Sequence, residues 1–261
     1  LSTGNDSPPL VRKSCGLSDI GRRRTTNEDA LFADDALGLY AVADGMGGHN
    51  AGEVASQEAL DTLHGMVARG ASDIRALDVP EPSPDDLRRA QRLLESAVQA
   101  ATYMVFGIAQ HAPEQHGMGT TLSALVLAGR IAVTAQVGDS RIYLVRDGQA
   151  FQLTEDHTLV GWQVKQGIIS AEDAARSPHR NVITRAIGSR DYVQVDVHTL
   201  ATEPGDVFVL CSDGLHGYLR DLGELPPITA LGPDAAARRL IELANERGGR
   251  DNVTALVVAL S

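Results

Sequence analysis

Four apolar runs in this chain are too short for buried helices, and each meets an aspartate at one end. Leu39-Tyr40-Ala41-Val42-Ala43 leads into Asp44-Gly45-Met46-Gly47-Gly48, and Ile131 to Val137 leads into Gly138-Asp139-Ser140-Arg141. Val207 to Ser212 leads into Asp213-Gly214, while Asp251-Asn252 opens the run Val253 to Val258. Runs of that length, rich in Val, Ile and Leu, read as strands buried on both faces. A carboxylate at the tip of such a strand is costly unless something pairs with it. Each Asp-Gly pair alone fits a tight turn, in which Asp caps its own backbone and Gly takes a positive φ. Four together favour a shared cation. An oxygen-only donor set, with no His or Cys at metal spacing, suits Mg²⁺ or Mn²⁺ rather than Zn²⁺.

The 261 residues can form one large or two small domains with a substantial core. A net charge of −11 argues against nucleic-acid binding, which needs a basic surface. It also means that a phosphorylated ligand is repelled unless cations or local arginines reverse the sign at its site. Cys15 and Cys211 lie in strand-like runs and read as small buried hydrophobes, with no disulfide framework to suggest export. No run reaches the roughly 18 apolar residues of a membrane span, and no basic-then-apolar leader is present. The chain begins with Leu1 rather than Met, as a fragment or processed product would, and its expected location is cytoplasmic.

Residues 1–13 read as a tail or linker. Apolar alternation starts near Cys15, and Gly38 to Asp44 is the second strand. Ala51 to Val67 carries a helical stripe, Gly70 to Asp85 with its three prolines reads as a surface connection, and Ser83 or Asp85 caps a long helix. From Thr120 to Leu153 four short strands follow, joined by Gly129-Arg130, Asp139-Ser140 and Asp147-Gly148, which predicts an antiparallel meander. Short helices are expected around Leu159–Gln166 and Ala171–Ala175. Strands at Val193–Leu200 and Val207–Cys211, a helix near Asp234–Arg247 and a last strand complete an α+β layered chain.

Two phosphate-binding alternatives fail on residues. Asn50 stands where the glycine-rich stretch after Asp44 would need its third glycine for a dinucleotide, and no Lys-Ser/Thr follows for a P-loop. Gly21 and Gly217 stand where a cysteine phosphatase based on Cys15 or Cys211 would need its arginine. What remains is Arg24, ahead of Asn27-Glu28-Asp29. A guanidinium matches a phosphate bidentately, and the neighbouring carboxylates can accept from metal-held water. Taken alone, Arg22-Arg23-Arg24 is more often a solvated basic patch.

Together these residues resemble the metal-dependent protein phosphatases, the type 2C serine/threonine family, in its bacterial form. The resemblance is carried by Ser18-Asp19 with Gly21 and Arg24, Asn27-Glu28-Asp29-Ala30, and Val42-Ala43-Asp44-Gly45-Met46-Gly47-Gly48-His49. It continues through Gly119-Thr120-Thr121-Leu122, Val137-Gly138-Asp139-Ser140-Arg141 and Leu153-Thr154-Glu155-Asp156-His157. Asn181 to Gly188, Ser212-Asp213-Gly214-Leu215 and Asp251-Asn252-Val253-Thr254 complete it in order.

The resemblance implies a four-layer α-β-β-α sandwich of two antiparallel sheets flanked by helices. It makes residues 14–261 a single phosphatase domain with a flap at about 158–189. It implies two Mn²⁺ or Mg²⁺ ions per chain: Asp44 bridges them, Asp213 and Asp251 hold one, and the Gly45 carbonyl binds the other. Asp29 and Glu28 act through bound water, with Asn252 beside them, and Asp139 with Asp213 holds a looser third metal. Arg24 binds the substrate phosphate. Met46 occupies the place where animal relatives carry a histidine, which leaves the proton donor open between a metal-held water and His49. Gly217 stands where some relatives carry a further Asp, which weakens the third site.

His157 and His179 are candidate substrate contacts beside the flap, and the other histidines show no ligand spacing. Thr120, Thr121, Ser140 and Arg141 read as scaffold. The implied function is hydrolysis of phosphoserine and phosphothreonine in proteins, opposing serine/threonine kinases, with phosphoproteins as partners and a monomer expected. The alternatives are a catalytically silent regulatory binding module of the same fold and a phosphatase of small metabolites.

Overall fold

The computed structural model describes residues 10–47 and 51–261. Strands β1 (Arg12–Asp19), β2 (Asp29–Asp34) and β3 (Leu39–Met46) come first, then helices α1 (Ala51–Arg69), α2 (Ala71–Arg75) and α3 (Pro84–His111). They are followed by β4 (Gly119–Thr120), β5 (Leu122–Ala128), β6 (Ile131–Val137), β7 (Arg141–Arg146) and β8 (Gln149–Gln152). Helices α4 (Leu159–Lys165) and α5 (Ala171–Arg176) precede β9 (Asp196–Ala201) and β10 (Val207–Cys211). The short α6 (Asp213–His216) and α7 (Leu225–Thr229), then α8 (Pro233–Glu246) and β11 (Val253–Leu260), end the chain.

The strands form two antiparallel sheets, ordered β1-β11-β10-β7-β8 and β2-β3-β5-β6-β9, with β4 beside β3. Their period of two sends alternate residues to opposite faces. Tyr40, Val42, Leu125 and Leu127 of one sheet meet Ile142, Leu144, Phe208, Leu210, Leu256 and Val258 of the other. The intervening residues Leu39, Ala41 and Ala43 turn outward beneath α1 and α3, and Val209, Cys211, Ala255 and Val257 turn outward beneath α8. Both faces of each sheet are therefore covered, which is why the strands read as continuous apolar runs. The four-layer α-β-β-α sandwich is the observed fold. Among the described residues no helix is long and apolar enough to cross a membrane.

Helix α3 starts at a capping box: the Ser83 hydroxyl accepts from the Asp86 amide, and the Asp86 carboxylate accepts from the Ser83 amide at 3.0 Å. Leu94, Ala97, Val98, Ala101 and Val105 form its buried stripe. Four expectations need correction. The edge strand β2 went unread because its ends are Asp29 and Asp34 and its burial is partial. The connection Gly70–Asp85 is not wholly surface, since it contains α2 and buries Ala71, Ile74 and Leu77. The short helices α6 and α7 carry no long amphipathic repeat and also went unread. The meander is broken: β5–β6 and β7–β8 pair as hairpins, but β6 and β7 belong to different sheets.

The segment Gly138-Asp139-Ser140 is thus a crossing from one sheet to the other. Gly138 has φ +98°, and a Cβ there would lie 2.6 Å from Thr121. Just beyond, Arg141 is held by Asp156 through two nitrogens, Nε at 2.9 Å and Nη2 at 2.7 Å. Both side chains are largely buried. Arg141→Met, which strands the Asp156 charge, is expected to cost roughly 3 kcal/mol in urea unfolding. Arg141→Met with Asp156→Leu should cost less, and an equal or larger loss in the double variant would show that the pair does not act as a unit.

Candidate metal and phosphate site

Asp29 and Asp44 face each other at the paired ends of β2 and β3. The Asp44 backbone is held on both sides: its N–H donates to Thr121 Oγ1 at 2.9 Å, and its carbonyl accepts from Thr120 Oγ1 and the Thr121 amide, both at 2.9 Å. Thr121 Oγ1 in turn lies 2.7 Å from Ser140 Oγ, which ties β3 to the crossing that carries Asp139. Thr120, Thr121, Ser140 and Arg141 are accordingly scaffold, as expected.

The second sheet supplies the opposite wall. Asp213 follows β10 and starts α6, and Asp251 precedes β11. Ser212 Oγ and Thr254 Oγ1 each donate to Asp29 Oδ2 at 2.7 Å, spanning the two sheets. The other oxygen, Asp29 Oδ1, is buried and has no hydrogen-bond partner among the described residues. Burial pushes the Asp29 carboxyl up to about 7, with Asp213 and Asp251 adding to the rise against the two hydroxyl donors. Burial likewise lifts Asp139 to about 7, with Asp213 the foremost charged contributor. Asp44 is driven well above the carboxylate range by burial and then by Asp29, Asp213, Asp139 and Asp251. Asp213 is raised by burial and then by Asp251, with Asp44 opposing the rise.

The loop before β2 brings the cation. Asn252 fastens it: its Oδ1 accepts from the Glu28 amide at 2.9 Å, and its Nδ2 donates to the Thr26 and Ile20 carbonyls at 2.9 and 3.1 Å. Arg24 Nη2 sits 2.8 Å from Asp251 Oδ2, with both side chains partly exposed. Glu28 is raised chiefly by burial, with Arg24 opposing. Its carbonyl accepts from the Gly45 amide at 3.1 Å and from Ser56 Oγ at 2.6 Å. Gly45 is packed so closely on α1 that a Cβ there would lie 2.1 Å from the Gly52 carbonyl oxygen.

The structure therefore brings together Arg24, Glu28, Asp29, Asp44, Gly45, Asp139, Asp213, Asp251 and Asn252. His49 lies outside the described residues. Mutually repelling carboxylates with one guanidinium among them, one carboxylate oxygen buried and unpartnered, and oxygen donors only: this set fits hard divalent cations. Among the described residues no group of three or more His, Cys, Asp or Glu side chains is already placed to hold one ion.

Three features were not anticipated. Ser212 and Thr254 steady Asp29, and their sequence signal is their place in the motifs that carry Asp213 and Asp251. His216, three residues after Asp213, places Nε2 3.0 Å from the Asp139 carbonyl. Burial brings its imidazole down to about 4. His157 is buried rather than turned to substrate: Nδ1 accepts from the Gly138 amide at 3.1 Å, so Nε2 carries the proton and donates to Asp196 at 3.1 Å. Cys211 is buried, as its apolar run led one to expect, and burial pushes its thiol up to about 12.

The family model of protein phosphatase 2C matches residues 16–251. The chain is 39% identical over 248 residues to the serine/threonine protein phosphatase PstP of Mycobacterium tuberculosis, covering 95% of this chain and 45% of PstP. It thus spans about half the length of that relative. It is 37% identical to a putative 2C-type protein phosphatase of Streptococcus pyogenes, covering 92% of this chain and 94% of the relative. The crystal structure of the PstP catalytic domain with two manganese ions superposes at a TM-score of 0.81, with 36% identity, over 96% of this chain and 99% of that one.

The carboxylate cluster sets a sign for the pH dependence. Asp29 and Asp139 hold protons in the metal-free folded state up to about pH 7, whereas unfolded aspartates release them near 3.9. Their contribution to stability is complete below about pH 4 and is lost as pH rises through 7. In chelator, the Tm should therefore fall by several degrees between pH 5 and 8, and excess Mn²⁺ should abolish that fall. Asp44→Asn, which stays neutral without a proton, should lessen the fall of Tm with pH in chelator and lose the Mn²⁺-induced rise. Calorimetric melts that look the same with and without Mn²⁺ would count against the cluster as a metal site.

Proposed function

The chain belongs to the protein phosphatase 2C family, and on that premise we propose that it is a metal-dependent phosphatase of phosphoserine and phosphothreonine in proteins. One observation carries the reading: carboxylates from both sheets gather at one end with an unpartnered Asp29 oxygen among them, and Arg24 stands at their edge.

Asp44 would serve two Mn²⁺ or Mg²⁺ ions, Asp213 and Asp251 one of them, and the Gly45 carbonyl the other. Asp29, Glu28 and Asn252 would act behind them, and Asp139 with Asp213 would hold a weaker third. When bound, these ions supply a water nucleophilic at neutral pH and offset charge on the phosphoryl oxygens. Arg24 orients the phosphate, and its guanidinium is presented by a loop that Asn252 holds in place. Met46 has no proton to give the leaving alkoxide. The intact set Arg24, Asp44, Asp213 and Asp251 weighs against a silent binding module, which has no use for all four.

Phosphoproteins, including serine/threonine kinases and their substrates, are the partners we assign, in the cytoplasm. The segment 158–189 is the flap that would meet them. It is tied down at Thr158–Ile183 and Thr120–Ile187, while Trp162, Ile168 and Val182 stay exposed.

The deciding measurement is hydrolysis of phosphoserine and phosphothreonine peptides with Mn²⁺ and with chelator. Turnover is expected only with the metal, and turnover undiminished by chelator refutes the proposal. Arg24→Ala should raise KM by roughly ten- to a hundredfold, the value of a charge-assisted contact, with Arg22→Ala and Arg23→Ala near wild type. Trp162→Ala with Ile168→Ala should lower kcat/KM for a phosphoprotein while hydrolysis of a small aryl phosphate stays within a few-fold. Equal losses on both substrates would make the flap part of the catalytic scaffold.

A further inference from the structure

Asp139 sits on the crossing between the sheets, on neither strand nor helix. Its carboxylate is buried, and Asp213 is the charged group that bears on it most. The carbonyls of this crossing are claimed by side chains. Gln136 Nε2 donates to Gly138 at 3.0 Å and to Ser140 at 2.6 Å, and Ser123 Oγ adds a bond to Ser140 at 2.9 Å. Those donors lie on β5 and β6, in the sheet the chain is leaving, so they fix the crossing to its origin.

The carbonyl of Asp139 itself is taken by His216 Nε2 at 3.0 Å. His216 closes α6, the turn that Asp213 opens. This bond therefore joins the crossing to the element carrying the other carboxylate. A carbonyl acceptor requires Nε2 to be the protonated nitrogen. Gly217, the next residue, has no side chain to add.

We propose that His216 is a positioning residue that sets the approach of Asp139 to Asp213, and through it the affinity of the weaker divalent-cation site those carboxylates form. The inference rests on the metal-dependent reading above. It needs no contact between His216 and the metal.

The test is calorimetric titration of the whole chain with Mn²⁺, comparing wild type with His216→Ala, His216→Gln and His216→Asn. His216→Ala should weaken the weaker class of sites about five- to tenfold, the worth of one hydrogen bond, and leave the tight class within about twofold. Gln places its amide nitrogen where Nε2 lies and should restore the affinity. Asn mimics Nδ1, cannot reach, and should behave as Ala does. In chelator, the backbone amide resonance of Ser140 should move in His216→Ala and return in His216→Gln, a readout that needs no metal.

The proposal is overturned if His216→Ala binds Mn²⁺ as wild type does, if both classes weaken equally, or if Asn rescues as well as Gln. A wild type with no weaker class overturns it too. Should His216→Ala fail to fold, the Gln and Asn pair decides between the same outcomes. Failure of the underlying reading looks different: wild type would then show no tight Mn²⁺ class and no Mn²⁺-dependent hydrolysis.

Discussion

Charge of one sign is concentrated where the two sheets end together, and packing between the sheets holds it there. Asp29 and Asp44 belong to one sheet, with Asp139 on the crossing that leaves it, while Asp213 and Asp251 flank strands of the other. Nothing about these side chains draws them to each other: burial raises Asp29, Asp44, Asp139 and Asp213, and the charges of neighbouring aspartates add to the rise. The compensating term is the inner core. Tyr40, Phe208, Leu210 and Leu256 are completely buried, and each contributes about 1.5–3 kcal/mol on leaving water. A site of like charges is affordable because the interface beneath it is large and apolar.

Local devices then convert that general adhesion into a defined geometry. Ser212 and Thr254 reach from one sheet to Asp29 on the other, so their hydroxyls act as spacers between the sheet ends. Thr121 holds Asp44 and touches Ser140, linking β3 to the crossing. Both Ser212 and Thr254 satisfy the same oxygen, Asp29 Oδ2, and leave Oδ1 to the group. The unpartnered Asp29 Oδ1 is the residue of that arrangement, since a buried acceptor is normally paired.

The strands and long helices were legible because their signals are local. Continuous apolar runs reported β3, β6, β10 and β11, and the Ser83–Asp86 box reported the start of α3. Strand-tip aspartates reported where the carboxylates gather, because a carboxylate beside a two-sided buried strand needs an explanation whatever the fold. Sheet membership was not local. Asp139-Ser140 looks like any hairpin turn, and only the partners of β7, which are β8 and β10, reveal that the chain changes sheets there. His157 and His216 were misread or passed over for the same reason. Their partners, Gly138 and Asp196 for one and Asp139 for the other, lie far away in sequence, and an isolated histidine gives no hint of them.

The Arg24 loop shows how a binding group can be firmly placed and still free to change partners. Arg24 and Asp251 are both partly exposed, 50% and 37% for their side chains, and an exposed ion pair of this kind is worth at most about 1 kcal/mol. The position of the loop does not depend on that pair. Asn252 makes three bonds to its backbone, and the Arg22 amide donates to the Gly249 carbonyl at 2.6 Å. Breaking the Arg24–Asp251 contact therefore costs little and moves no backbone. On the proposed reading, a guanidinium released by Asp251 would turn to a phosphate, and a carboxylate released by Arg24 would turn to a cation. Exchange at a weak, exposed pair on a rigid loop would then let both groups be satisfied before and after ligands arrive.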